Sequence, residues 1–115
     1  MNTVSHVSNS SFPVEVQQSI VPVLVDFFAD WCGPCRMLAP TLNKLSSEFA
    51  GRVKIVKVNV DTEPELANQF RVESIPLLVF FAGGKPVGRA AGLINESNLR
   101  QALNQLTEAA GKQTA

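Results

Sequence analysis

The sequence predicts an α/β domain in which one mixed five-stranded sheet is flanked by four helices. Two short apolar runs, PVLVDFFA at Pro22 to Ala29 and VKIVKVNV at Val53 to Val60, have strand length and carry apolar residues on both faces. Strands of that kind lie in a sheet covered on both sides. Between them Leu38, Leu42, Leu45 and Phe49 recur at helical spacing and form one apolar stripe. Near the C-terminus a Gly-Gly pair between two further strand-like segments adds an antiparallel hairpin to an otherwise alternating strand and helix order.

Taken along the chain, Met1 to Ser11 is polar with two scattered valines, at best a short edge strand, and a helical turn follows from about Pro13 to Ser19. In the first long strand Val23, Val25 and Phe27 face one way and Leu24, Asp26 and Phe28 the other, so Asp26 is the one polar group on either face. The helix that starts at Pro34 ends near Gly51. Pro40 removes one of its backbone hydrogen bonds and predicts a kink, not a break, because the stripe continues in phase beyond it. In the next strand Val53, Ile55, Lys57 and Asn59 alternate with Lys54, Val56, Val58 and Val60. Thr62-Glu63-Pro64-Glu65 fits a capping box for a helix carrying Leu66 and Phe70. Ile75 to Phe81 reads as a strand, Ala82 to Lys85 as a turn and Pro86 to Ala91 as the return strand. Asn95 opens a last helix with Leu99, Leu103 and Leu106 on its inner face. One domain over residues 1–115 is expected, with a polar segment to about residue 11 and a polar tail from about residue 108.

Bulk composition excludes several functions. Ten Lys plus Arg balance ten Asp plus Glu, and no basic run offers itself to nucleic acid or to an anionic membrane. MNTVSHVSNSS has neither the basic start nor the apolar segment of a secretory signal, and no apolar run approaches the roughly 18 residues of a membrane span. A cytoplasmic monomer is expected. Asn9 and Asn95 begin N-x-S triplets that matter only in a secretory pathway, of which there is no other sign.

The chemistry concentrates in Cys32 and Cys35, the only cysteines, with Gly33 and Pro34 between them. A structural zinc site wants four ligands, and the chain adds one histidine, His6, in the polar N-terminal segment, so no metal is expected. A staple across so short a loop removes little entropy from the unfolded chain. Inert core cysteines fit poorly at a Gly-Pro turn between strand and helix, where side chains tend to be exposed. Redox chemistry fits better. Cys32 falls at a helix N-terminus, where free amides and the macrodipole stabilise a thiolate. Cys35 falls one turn inside, within reach and less open to solvent, so one sulfur attacks and the other resolves.

Trp31-Cys-Gly-Pro-Cys35 resembles the active-site signature of the thioredoxin family. Asp26 in the preceding strand, Pro40 in the following helix, Lys57 in the next strand, Ile75-Pro76 before the hairpin and Gly92 after it stand in the family's order and approximate spacing. The resemblance implies a thioredoxin fold and spans most of the chain, from about Phe12 to Leu106. It also implies roles. Asp26, whose same-face neighbours Leu24 and Phe28 predict burial and a raised pKa, would relay a proton to or from Cys35 through water. Lys57, otherwise read as a surface cation like Lys54, becomes the partner of Asp26. Ile75-Pro76 would be cis and face the cysteines, leaving the Ile75 backbone to bind an extended substrate, although a proline there fits a plain strand edge too. Trp31, otherwise an ordinary core residue, joins Gly33, Pro34, Ile75, Pro76, Gly92 and Leu93 in an apolar landing surface.

Gly83-Gly84-Lys85 lacks the spacing and the Ser or Thr of a phosphate loop and is a hairpin turn. His6 is expected to be solvated. Three positions depart from the commonest family pattern: Phe28 stands where many members have a second Trp, Leu77 where a Thr often follows the cis proline, and Leu93 where Ala often follows the glycine. The last two add apolar bulk near the docking surface. The activity implied is reduction of protein disulfides, with disulfide-containing target proteins as partners. A separate thioredoxin reductase, NADPH- or ferredoxin-linked, is implied as well, because the sequence has no flavin or nicotinamide motif and no cofactor is expected. Two rival readings are a disulfide oxidase or isomerase and a binding or regulatory subunit whose surface carries the function; Gly33-Pro34 favours the reductase.

Overall fold

The computed structural model describes residues 4–114, so the first three residues of the polar N-terminal segment and the last residue of the polar tail lie outside the described residues. The elements run β1 (Ser5–His6), a π-helical turn (Pro13–Gln17), β2 (Val23–Phe28), α1 (Gly33–Glu48), β3 (Lys54–Asn59), α2 (Pro64–Gln69), β4 (Leu77–Ala82), β5 (Lys85–Ala91) and α3 (Glu96–Thr114). The sheet order is β1-β3-β2-β4-β5. β1 and β2 run parallel to β3, while β4 is antiparallel to both β2 and β5. The result is the predicted mixed sheet with a hairpin at one edge.

β2 lies at the centre, and each of its six residues is buried. Its alternation feeds two cores. Val23, Val25 and Phe27 join Val56, Val58, Val79 and Phe81 beneath the π-helical turn and α2. Four rings, Phe12, Phe27, Phe70 and Phe81, interlock there with centroids 5.3 to 5.9 Å apart. On the other face Leu24, Ile55 and Leu78 meet Leu38, Leu42 and Leu45 of α1 and Leu99, Leu103 and Leu106 of α3. The helical stripes read from the sequence are the buried ones. Pro40 lies inside α1, which continues past it to Glu48.

Several local expectations are corrected. No capping box forms at α2: its N-cap is Glu63, whose side chain makes no capping bond, and the Thr62 hydroxyl donates backwards to the Asn59 carbonyl. The Asn59 side-chain oxygen instead accepts from the backbone amides of Asp61 and Thr62, because a short polar side chain at a strand end closes the turn more directly. β4 begins at Leu77, so Ile75 and Pro76 form the approach to the strand and not its start. Lys54 is not a free surface cation, since its ammonium donates to the Glu15 carbonyl and sits 3.5 Å from the Glu15 carboxylate, fastening the π-helical turn to β3. His6 is exposed but not merely solvated: its ring packs edge to face on Phe28 at 5.5 Å. The segment read as a polar tail continues α3 to Thr114.

The hairpin turn uses its glycines as the sequence requires. Gly83 and Gly84 have φ of 59° and 79°, left-handed values that suit a tight turn between twisted strands. A side chain on Gly84 would also run into the Gln17 carbonyl.

Candidate active site

β2 and β3 end side by side, and the chain leaves β2 through Ala29, Asp30 and Trp31 to enter α1. Ligands of open α/β sheets gather at this end, beyond the carboxyl ends of parallel strands. Cys32 is the N-cap of α1, with an extended backbone, and Pro34 follows in the first turn, where its missing N–H costs nothing. The Cys35 amide donates to Cys32 Sγ at 3.2 Å. Cys32 and Cys35 are joined as a disulfide, with their Cα atoms 5.2 Å apart.

Exposure does not separate the two sulfurs as the sequence suggested. Each cysteine is 4% exposed, packed in a small cluster with Phe28 and Ala29 and flanked by Val60 and Ile75. What separates them is the helix end. The backbone points an N–H at Cys32 and none of the described side chains or amides does the same for Cys35.

Asp26 sits two residues before Phe28 on the same face of β2, 1% exposed. Neither carboxylate oxygen has a hydrogen-bond partner among the described residues. Burial pushes its pKa up to about 7, with the charge on Lys57 acting in the opposite direction. Lys57 is its register partner on β3, and its ammonium lies over the Phe28 ring, 4.6 Å from the centroid.

Ile75-Pro76 is cis, and the Ile75 carbonyl oxygen lies 3.9 Å from Cys32 Sγ. The Gly92 amide donates to the Pro76 carbonyl at 2.9 Å, which brings the end of β5 to the same place. Trp31 is 69% exposed and is therefore not core; Pro34 and Leu93 are also exposed, Gly33, Ile75 and Gly92 are half-buried, and Pro76 is buried. A shallow depression of about 170 Å³ between Trp31, Val60, Val72 and Ile75 continues this surface.

Sequence reasoning missed Asp61. Its carboxylate accepts the Trp31 indole N–H at 2.9 Å, and Asn59 holds the Asp61 backbone. Its position just past β3, beside the end of β2, was the signal available. Among the described residues no three His, Cys, Asp or Glu side chains converge to hold a metal ion, and no helix is long and apolar enough to cross a membrane.

Two sulfurs that join and part within a single helical turn, next to a surface open to another chain, perform dithiol-disulfide exchange, and the fold and site together define a thiol-disulfide oxidoreductase. Comparison with known proteins then places the chain in the thioredoxin family: the family model described as Thioredoxin matches residues 3–105. Thioredoxin 1 of a Nostoc species is 44% identical over 105 residues, 91% of this chain and 98% of that protein. Thioredoxin 1 of Chlorobaculum tepidum is 50% identical over 86 residues, 75% of this chain and 85% of that protein. The bifunctional thioredoxin reductase/thioredoxin of Mycobacterium leprae is 44% identical over 100 residues, which are 87% of this chain and 22% of that longer protein. The activity is that of a protein-disulfide reductase.

Proposed function

We propose that Cys32 is the nucleophile and Cys35 the resolving thiol of this reductase. The observation that carries the assignment is the Cys35 amide aimed at Cys32 Sγ from the first turn of α1, since that N–H and the helix terminus stabilise negative charge on Cys32. In the reduced enzyme the Cys32 thiolate attacks one sulfur of a target disulfide. A mixed disulfide forms, the target's S–S bond breaks, and the released target thiolate takes a proton from solvent. The Cys35 thiol then gives its proton, through water, to the Asp26 carboxylate and attacks Cys32 Sγ. The second target thiolate leaves and is protonated, so two electrons and two protons have passed to the target and Cys32–Cys35 is oxidised.

A carboxyl with a pKa of about 7 suits that transfer, because it accepts and returns a proton near neutral pH. Lys57 stabilises the charged form of Asp26. Trp31, Gly33, Pro34, Ile75, Pro76, Gly92 and Leu93 receive the target. The Ile75 main chain, beside Cys32 Sγ, binds an extended segment while the apolar surface around it selects no charge. Re-reduction falls to a separate thioredoxin reductase, NADPH- or ferredoxin-linked. The Mycobacterium leprae relative, whose name joins the two activities, supports that pairing. A reactive dithiol of this kind fits a monomer in the reducing cytoplasm.

Trapping tests the assignment. Cys35→Ser should accumulate a mixed disulfide with insulin, seen as a mass increase on non-reducing analysis, and Cys32→Ser should not. Trapping by Cys32→Ser alone would reverse the roles, and equal trapping by both variants would overturn the assignment.

A further inference from the structure

Lys57 has two places to put its ammonium. One is the Asp26 carboxylate, its register partner across the sheet, which accepts no hydrogen bond from Lys57 or from any other described residue. The other is the face of Phe28, one of the three positions where the chain departs from the commonest family pattern, and there the ammonium is found, 4.6 Å from the ring centroid. The ring itself is held. His6, the register partner of Lys57 on β1, packs against it edge to face at 5.5 Å, and Phe28 shares a buried cluster with Cys32 and Cys35.

We propose that Phe28 is a positioning residue that holds the Lys57 ammonium off the Asp26 carboxylate, with His6 bracing the ring from the edge strand. The inference rests on the proposed role of Asp26 as proton acceptor. The groups that face Asp26 can be named element by element. β3 supplies Lys57, its register partner, and the Phe28 ring on the same face of β2 links it to His6 on β1 and to the cluster of the two cysteines at the start of α1. β4 presents Leu78, the register partner of Asp26 on its other side, which is apolar. Lys57 is thus the charge whose placement governs how readily the carboxyl ionises, and a cation shared with an aromatic face stabilises a carboxylate less than one bonded to it directly. Phe28 keeps Asp26 protonatable near neutral pH without removing the lysine.

Two NMR measurements test this. In the wild type, the Lys57 ε-methylene protons should show an upfield ring-current displacement that is lost in Phe28→Leu and kept in Phe28→Trp. The Asp26 carboxyl carbon, followed as a function of pH, should titrate about one pH unit lower in Phe28→Leu, roughly a tenfold change in proton affinity, and close to wild type in Phe28→Trp. Loosened packing alone would hydrate Asp26 and lower its titration too, so the comparison is repeated in a Lys57→Met background. There Phe28→Leu should change nothing. The proposal is overturned if the lowering persists without Lys57, or if Phe28→Leu titrates as the wild type does. Should Phe28→Leu not fold, an undisplaced Lys57 ε-methylene signal in the wild type overturns it by itself. The rate at which Asp26→Ala resolves a mixed disulfide with insulin reports separately on the proton-acceptor role, so the two failures are distinguishable.

Discussion

Asp26 carries a carboxyl into the central strand with 1% of its surface exposed and no hydrogen-bond partner among the described residues. Burial raises its folded pKa from 3.8 to about 7, so between those values the folded protein binds a proton that the unfolded chain has released. Stability therefore falls as pH rises from about 4 to about 7 and is level above that. Asp26→Ala removes this loss. Each tenfold difference in proton affinity between the folded and unfolded chain is worth about 1.4 kcal/mol. Denaturant titrations at a series of pH values should therefore show the variant matching the wild type near pH 4 and exceeding it at pH 8 by on the order of 2–4 kcal/mol. The same variant should slow resolution of the mixed disulfide. The burial was legible in the sequence because Leu24 and Phe28 flank Asp26 on its face. The near-equal burial of Cys32 and Cys35 was not, because it depends on Val60 and Ile75 arriving from distant parts of the chain.

At the scale of elements, apolar periodicity marked every helix and every strand that has a covered face, while the polar joints were harder to read. Thr62 and Glu65 had the spacing of a capping box, yet Asn59, at the end of β3, reaches the free amides first. Asn59→Ala should cost about 1 kcal/mol in unfolding experiments. It should also change the emission of Trp31, the only tryptophan, because Asn59 seats Asp61 and Asp61 holds the indole. The β4 to β5 turn was legible from its two glycines. Gly84→Ala there meets both a positive φ and the Gln17 carbonyl, and thermal and chemical unfolding should register a loss of roughly 1–3 kcal/mol.

For the whole molecule, strand and helix alternation predicts a layered α/β fold, but not the sheet order β1-β3-β2-β4-β5, which rests on pairings between strands far apart in the chain. Far-apart charges that meet in the fold left no local signal either. Arg100 on α3 bonds Glu48 at the end of α1 and Glu96 in its own first turn, and Lys44 joins Glu96, so the two helices on one face are laced together. Arg100 holds both carboxyls below the usual range. Their contribution is present at neutral pH and lost as acid protonates them, and salt screens it. Arg100→Ala should lower the melting temperature slightly at low ionic strength, with the difference from wild type shrinking in about 1 M salt.

These scales meet in the disulfide at the start of α1, which the protein must open and close to reduce another chain. Catalysis of insulin reduction by dithiothreitol measures that turnover most directly. The wild type should accelerate precipitation of the insulin B chain, and Cys32→Ser and Cys35→Ser should leave it at the uncatalysed rate. Equal acceleration by all three proteins would contradict a dithiol mechanism at Cys32 and Cys35.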